Sequence, residues 1–152
     1  APIRQKAHQA FIDNTLSFAK SQGKTSTVGV FQAEEVTFLQ KKGQTIESPI
    51  ITVEDRLLIG KKAKRHENAG DAVSVAEWQE LPILIANVKT VLYDVRNDSV
   101  LYILKSLDEN DPKVIKLSLR VQNGVIEIVS VFKILDGAIE DGLNATHYEL
   151  IR

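Results

Sequence analysis

The chain has 152 residues, 43% hydrophobic and 26% charged, with a net charge of −1 at pH 7. A chain of this length and composition reads as one globular domain able to bury its own core, and its near-zero charge excludes a global basic field, so any nucleic-acid role must rest on local clustering. The lack of cysteine excludes a disulfide framework, a thiolate nucleophile and a cysteine zinc site. His8, His66 and His147 show no metal-ligand spacing, so no metal and no cofactor is expected. There is no secretory signal and no apolar run long enough to span a bilayer, so no membrane partner is expected. The chain starts at Ala1 and holds no methionine, as expected either of a trimmed chain or of a domain cut from a longer protein.

Ile3–Lys20 reads as a helix, with Ile3, Ala7, Phe11, Leu16 and Phe18 as a loose apolar stripe. Ser21–Thr27 is a turn-rich break. Its Gly-Lys-Thr matches the end of a P-loop, but Phe18 stands where the first glycine belongs and no apolar strand precedes it. Thr27–Phe31 reads as a short strand and Gln32–Lys42 as a helix stopped at Gly43 in a left-handed cap. After Ser48-Pro49, Thr52 and Asp55 fit a capping box. They predict a helix from Val53 that turns Leu57, Leu58 and Ile59 inward and Lys61, Lys62, Lys64 and Arg65 toward water. The basic run ends on His66, and a polar loop with Gly70 follows. Ser74 and Glu77 form a second capping box, and the helix from Val75 packs Trp78 and Leu81 until Pro82 kinks it or opens a new turn.

From Thr90 the period changes to two. Thr90–Arg96 and Ser99–Leu107 read as strands around an Asn97-Asp98 turn, and Val114–Gln122 and Val125–Leu135 as strands around Asn123-Gly124. Asp108–Lys113 and Asp136–Asn144 read as polar loops, and Thr146–Ile151 as a short strand or a tail. The class is therefore α+β, with N-terminal helices packed on one face of a four-stranded antiparallel meander. The chain divides into a helical N-terminal extension (1–26), a core (27–135) and a tail (136–152).

A two-residue turn at Asn123-Gly124 pairs Arg120 with Glu127, Ser118 with Val129 and Lys116 with Val131. Lys116, Ser118, Arg120, Glu127 and Lys133 then share one face, while Ile115, Leu117, Leu119, Val121, Ile126, Ile128, Phe132 and Ile134 share the other. Ser130 falls on the apolar face, opposite Leu117, where it is a buried hydroxyl unless the strand bulges. In the first hairpin Tyr93 faces Tyr102, as cross-strand packing or as a base-stacking platform.

No Gly-x-Ser-x-Gly elbow, His-Glu-x-x-His or Gly-x-Gly-x-x-Gly occurs. What remains is a metal-free set of His, Lys, Arg and hydroxyls. That set suits RNA cleavage, because RNA carries its own nucleophile, the 2′-hydroxyl, and the protein need supply a base, an acid and cations for the phosphorane. Histidine titrates in the range such work needs, which singles out His66. Lys64, Arg65, Lys116, Arg120 and Lys133 can neutralise phosphate. The basic run also reads as a solvated helix face, and His66 as a surface or helix-capping histidine.

The stretches TVGVFQAEEVTFLQ, ITVEDRLLIGKKAKRHENAG, VAEWQELPILIANVKTVLYD, VIKLSLRVQNG and VIEIVSVFKI follow one another in the chain. In that order they resemble the phage-associated branch of the barnase–EndoU–colicin–RelE-like nucleases, domains at the C-termini of phage head-morphogenesis proteins of the Mu F type. The resemblance spans Thr27–Leu135 and implies a barnase/RelE-like fold with a nuclease-like core. It implies a metal-independent ribonuclease, a phage or prophage toxin, cleaving RNA such as tRNA to a 2′,3′-cyclic phosphate. His66, Lys116 and Ser130 become the catalytic positions, with Lys64, Arg65, Arg120 and Lys133 binding substrate. Lys116 and Ser130 lie on opposite faces in the register above, so either a bulge intervenes or one assignment is wrong. The implied partners are RNA, an acidic immunity protein over the cationic face and a parent phage head protein, in the virion or the bacterial cytoplasm. The alternative is a non-catalytic virion or head-assembly module that binds nucleic acid or protein.

Overall fold

The computed structural model describes residues 2–152. The side chain of Lys62, read above as facing water, lies outside the described residues. In chain order the elements are α1 (Pro2–Leu16), β1 (Thr25–Val30), α2 (Ala33–Lys41), β2 (Ile50–Glu54), α3 (Arg56–Ile59), α4 (Lys61–Ala69), α5 (Val75–Gln79) and α6 (Leu81–Ala86). They continue with β3 (Thr90–Asp94), β4 (Ser99–Lys105), β5 (Lys113–Gln122), β6 (Val125–Leu135), α7 (Asp136–Asn144) and β7 (Tyr148–Leu150). No helix among the described residues is long and apolar enough to cross a membrane.

The class is α+β, but the sheet is larger than a four-stranded meander. Among the described residues it has seven strands in the order β1-β2-β6-β5-β4-β3-β7. The expected meander, β3 to β6, is its middle; β2 joins β6 in parallel, β1 pairs with β2, and β7 pairs with β3. The sheet is therefore mixed.

The helix expected from Val53 is instead strand β2. The capping box there is overruled by the run Ile50-Ile51-Thr52-Val53, whose branched side chains favour a pleated surface. Ile51 and Val53 are fully buried in the core. Asp55 ends the strand and starts the short α3, and Gly60 separates α3 from the basic helix α4. The box at Ser74 and Glu77 forms as expected and opens α5; Pro82 lies in the first turn of α6. The expected loop Asp136–Asn144 is helix α7. Its Ile139 packs on Leu92 and Leu101 of the sheet's second face, a contact no local pattern announces. Gly142 is required in α7 because a Cβ would run into the Tyr148 ring.

At the second hairpin Asn123 and Gly124 both have positive φ, 53° and 81°, and Gln122 pairs with Val125 as expected. The first hairpin differs. The Asp94 carboxylate accepts hydrogen bonds from the Arg96 and Asn97 amides, which ends β3 early and leaves a four-residue loop. Tyr93 therefore faces Val100, and Tyr102 faces Val91. A shift of two residues preserves the faces, so both tyrosines stay on the main core side. Tyr93 packs on Phe38 and Tyr102 on Phe31, so they are packing residues. Burial and the hydrogen bond to Asp98 push the Tyr93 hydroxyl up to about 12.

The main core lies between the sheet and the helices, joining Ile12, Leu39, Leu57, Trp78, Leu81 and Ile85 to the strands. Three polar groups pin helices to it. Fully buried Glu35 accepts from the Tyr102 hydroxyl at 2.7 Å and from Arg152 Nε at 2.5 Å. On the other side of the core, Lys133 of β6 lies 2.9 Å from Glu77 of α5 and 2.7 Å from Asp111. Burial alone would raise the Glu77 carboxyl, but hydrogen bonds from the Ser74 and Leu107 amides and from Lys133 hold it below its ordinary value. Burial would lower Lys133, and its two carboxylates overcome that and raise it.

His8 of α1 is fully buried. Its Nε2 donates to the Trp78 carbonyl at 2.6 Å, and Nδ1 accepts from the Ser26 hydroxyl at 2.9 Å. Burial lowers its pKa below 6.5, and the Trp78 bond opposes that only in part. The neutral ring is the folded form, so the contribution of His8 is complete above pH 6.5 and is lost as pH falls through the lower folded value. Urea midpoints measured from pH 7.5 down to 5 should fall for the wild type and fall less steeply for His8→Asn. Lys133→Ala leaves Glu77 buried without its cation and should cost on the order of 3 kcal/mol by urea denaturation at pH 7.

Candidate functional site

Strand β6 carries one more residue than a regular ladder allows. Its pairs run from Gln122 with Val125 to Leu119 with Ile128 as the turn predicts, and then the register shifts between Ser118 and Leu119. Val129 is the extra residue, a β-bulge. Beyond it Ser118 faces Ser130, Leu117 faces Val131, Lys116 faces Phe132 and Ile115 faces Lys133. The expected faces are therefore right up to Ile128 and inverted from Ser130 onward. Ser130, Phe132 and Ile134 join the face of Lys116, while Val131 and Lys133 turn to the core. Ser130 is not opposite Leu117, and the conflict between Lys116 and Ser130 is resolved by the bulge. The sequence held the signal: a serine on an apolar face, with Val129 and Val131 on a polar one.

On this face a cleft of about 430 Å³ is lined by Lys116, Ser118, Arg120 and Ser130, with Phe132 and the Asp94–Ser99 hairpin as its walls. Lys116 Nζ sits 5.3 Å from the centre of the Phe132 ring and 5.9 Å from that of Tyr148, an arrangement that holds a cation by the negative ring faces. Arg120 is exposed and cross-strand from Glu127. Asp94 is committed to its own turn, accepting also from Asn97 Nδ2 at 2.8 Å. The cleft thus offers two cations and the hydroxyls of Ser99, Ser118 and Ser130, which is the donor set for an anionic oxygen ligand.

His66 does not line this cleft; it packs against Phe132, one of the cleft's walls. Gly70 closes α4 with φ of 76° and returns the chain, so that the Asp71 amide donates to the His66 carbonyl at 3.0 Å and the Lys133 amide donates to the Asp71 carbonyl at 2.8 Å. These bonds seat the helix end on the edge of β6. His66 Nδ1 lies 2.9 Å from Asp71 Oδ1, and its ring stacks on Phe132 at 4.8 Å between centres and 10° between planes. A carboxylate only accepts, so Nδ1 carries the proton. Nε2 is buried and has no hydrogen-bond partner among the described residues.

Of the expected site residues, the structure brings Lys116, Arg120 and Ser130 together and places His66 against the Phe132 wall. Lys64 and Arg65 are exposed on α4. Lys133 lies on the opposite face, 11% exposed, with its ammonium held by Glu77 and Asp111. Asp71, Phe132 and Ser118 were not anticipated; for Asp71 the signal was its place just after a glycine able to end the helix of His66. His147 meets the sheet through its backbone, whose carbonyl accepts from the Val95 amide at 2.9 Å. No family model matches this chain, and neither a curated protein nor a solved structure matches it.

The bulge has a direct chemical test in a chain without cysteine. Directly opposed residues have Cα atoms about 4.5–5.5 Å apart, within disulfide range. Ser118→Cys with Ser130→Cys should therefore cross-link under mild oxidation, read by mass after tryptic digestion. In an unbulged ladder the two side chains would point to opposite faces and stay reduced.

Proposed function

We propose that the protein is a metal-independent ribonuclease whose substrate backbone lies in the polar cleft of β5 and β6. The observation that carries this reading is the Val129 bulge, which gathers Lys116, Ser118, Arg120 and Ser130 on one surface beside the His66–Phe132 stack. In this scheme the 2′-oxygen bonds to phosphorus as its proton passes to a base. The P–O5′ bond breaks as O5′ takes a proton from an acid, leaving a 2′,3′-cyclic phosphate and a 5′-hydroxyl. Lys116 and Arg120 balance the charge growing on the phosphorane, and the Ser130 hydroxyl donates to a non-bridging oxygen. His66 is the acid or base: Asp71 keeps the proton on Nδ1 and leaves Nε2 to exchange one. Because His66 lies on Phe132, that ring must turn aside for the 2′-hydroxyl to reach Nε2. The small net charge fits a structured target such as tRNA, where shape rather than bulk charge governs binding.

One observation favours the second reading, a module that binds nucleic acid without cleaving it: Nε2 of His66 is buried. Total tRNA incubated with the protein in EDTA decides between them. The expected result is products ending in cyclic phosphate, with rates lowered about 10²-fold or more in His66→Ala and Lys116→Ala. Salt-sensitive binding without cleavage would establish the binding module instead. Cleavage by His66→Ala at the wild-type rate would remove the histidine from the mechanism.

A further inference from the structure

The far end of β4 is left open. β3 begins at Thr90, opposite Ile103, so Leu104 and Lys105 have no β3 partner. Where that pairing is missing, a cleft of about 380 Å³ opens between the end of β4 and the segment that leads from α6 into β3. Its apolar lining is Leu84, Val88, Ile103, Leu104 and Val114. Leu84, Val88 and Leu104 belong to the main core, and Ile103 and Val114 to the cluster on the second face, so the cleft draws apolar groups from both sides of the sheet. All of them but Leu104 are only partly buried. The polar residues around it are Asn87, Lys89 and Lys105, all exposed. Asn87 is committed to the end of α6, its Nδ2 donating to the Ile83 carbonyl at 2.9 Å. The ammoniums of Lys89 and Lys105 have no ion-pair or hydrogen-bond partner among the described residues, and no carboxylate lines the cleft. Lys105 also borders the loop of Asp108, Glu109 and Asp111 and pairs with none of them. A mostly apolar cleft of this size with a few polar groups on its rim has the make-up of a small-molecule site.

We propose that this cleft binds a small amphiphilic carboxylate of the medium-chain fatty-acid class. Its chain lies along Leu84, Val88, Ile103, Leu104 and Val114, and its head sits at Lys89 and Lys105. Apolar burial supplies most of the affinity, and the two unpaired ammoniums supply the preference for an anion over a cation with the same chain. A bare strand edge also invites pairing with a second copy of the chain. Here each copy would bring the same lysines to the seam, and lysines at a strand edge act against such pairing. None of these residues lines the polar cleft of β5 and β6, so the inference does not rest on the ribonuclease reading.

The test is a titration of the isotope-labelled intact protein at pH 7 with octanoate and, separately, with octylammonium, which has the same chain and the opposite charge. Binding is read by NMR at the methyls of the five apolar residues. Octanoate should shift them saturably and bind about tenfold tighter than octylammonium, and added salt should narrow that ratio. In Lys89→Met with Lys105→Met, which keeps the apolar stems, the two affinities should come within about twofold of each other. The site is overturned if octanoate gives no saturable shift at these methyls, or if octylammonium binds the wild type as tightly as octanoate does. The wild-type comparison needs no variant, so a misfolded double variant would not protect the proposal. Shifts at the same methyls that follow protein concentration without any ligand would show a second copy in the cleft and would also overturn it.

Discussion

The structure turns on a counting constraint in β6. Side chains on a strand alternate between faces, so one added residue inverts everything beyond it. Val129 is that residue, and its insertion satisfies demands that a regular strand could not meet together. Upstream, Ile126 and Ile128 must face the helices. Downstream, Val131 fills the core against Leu117, and Lys133 must reach Glu77 and Asp111 on that same side. The bulge interrupts one step of the ladder, and the core contacts on both sides of it offset that loss. The polar cleft is what the other face receives in return.

Helix placement depends on a few charged groups in the apolar layer. Glu35 ties α2 to β4 through Tyr102 and to the C-terminal segment through Arg152, and Lys133 ties α5 to β6. Buried ion pairs of this kind add little net stability over apolar packing, yet removing one partner is costly, so their effect is to select one arrangement of helices over others. His8 does the same for α1 without a charge, bridging Ser26 and the Trp78 carbonyl. The N-terminal helix is by these contacts part of the same core as the sheet.

The second face of the sheet is divided between a packed half and an open one. α7 covers Leu92 and Leu101 with Ile139, and Tyr148 closes beside them. Past that cover the side chains are Ser99, Ser118 and Ser130, which are small and polar, and the cleft begins there. Lys116 marks the boundary, its ammonium over Phe132 and Tyr148. Phe132 links two clefts, since its ring walls the polar one on β5 and β6 and carries the His66 imidazole, which lines the other, among α1, α3, α4 and α5.

Local chemistry made much of this legible. The Asn123-Gly124 turn, the alternation of β5, the capping box at Ser74 and the left-handed Gly43 after α2 each act within a few residues and each formed as read. The candidate cations Lys116 and Arg120 were visible for the same reason, since a regular strand next to a known turn has only one register. Readings failed where distant groups decided the outcome. β2 is a strand because β1 and β6 pair with it and the core takes Ile51 and Val53. α7 is a helix because Leu92 and Leu101 needed cover. The Asp71–His66–Phe132 assembly exists only once α4 docks on the edge of β6. By itself the sequence determined the period of each segment, its turns and its stock of chemistry, because those depend on neighbours along the chain. Which face each residue of β6 took beyond Val129, and which side chains met there, was decided by the tertiary structure, because burial of Val131 and neutralisation of Lys133 involve partners far away in the sequence.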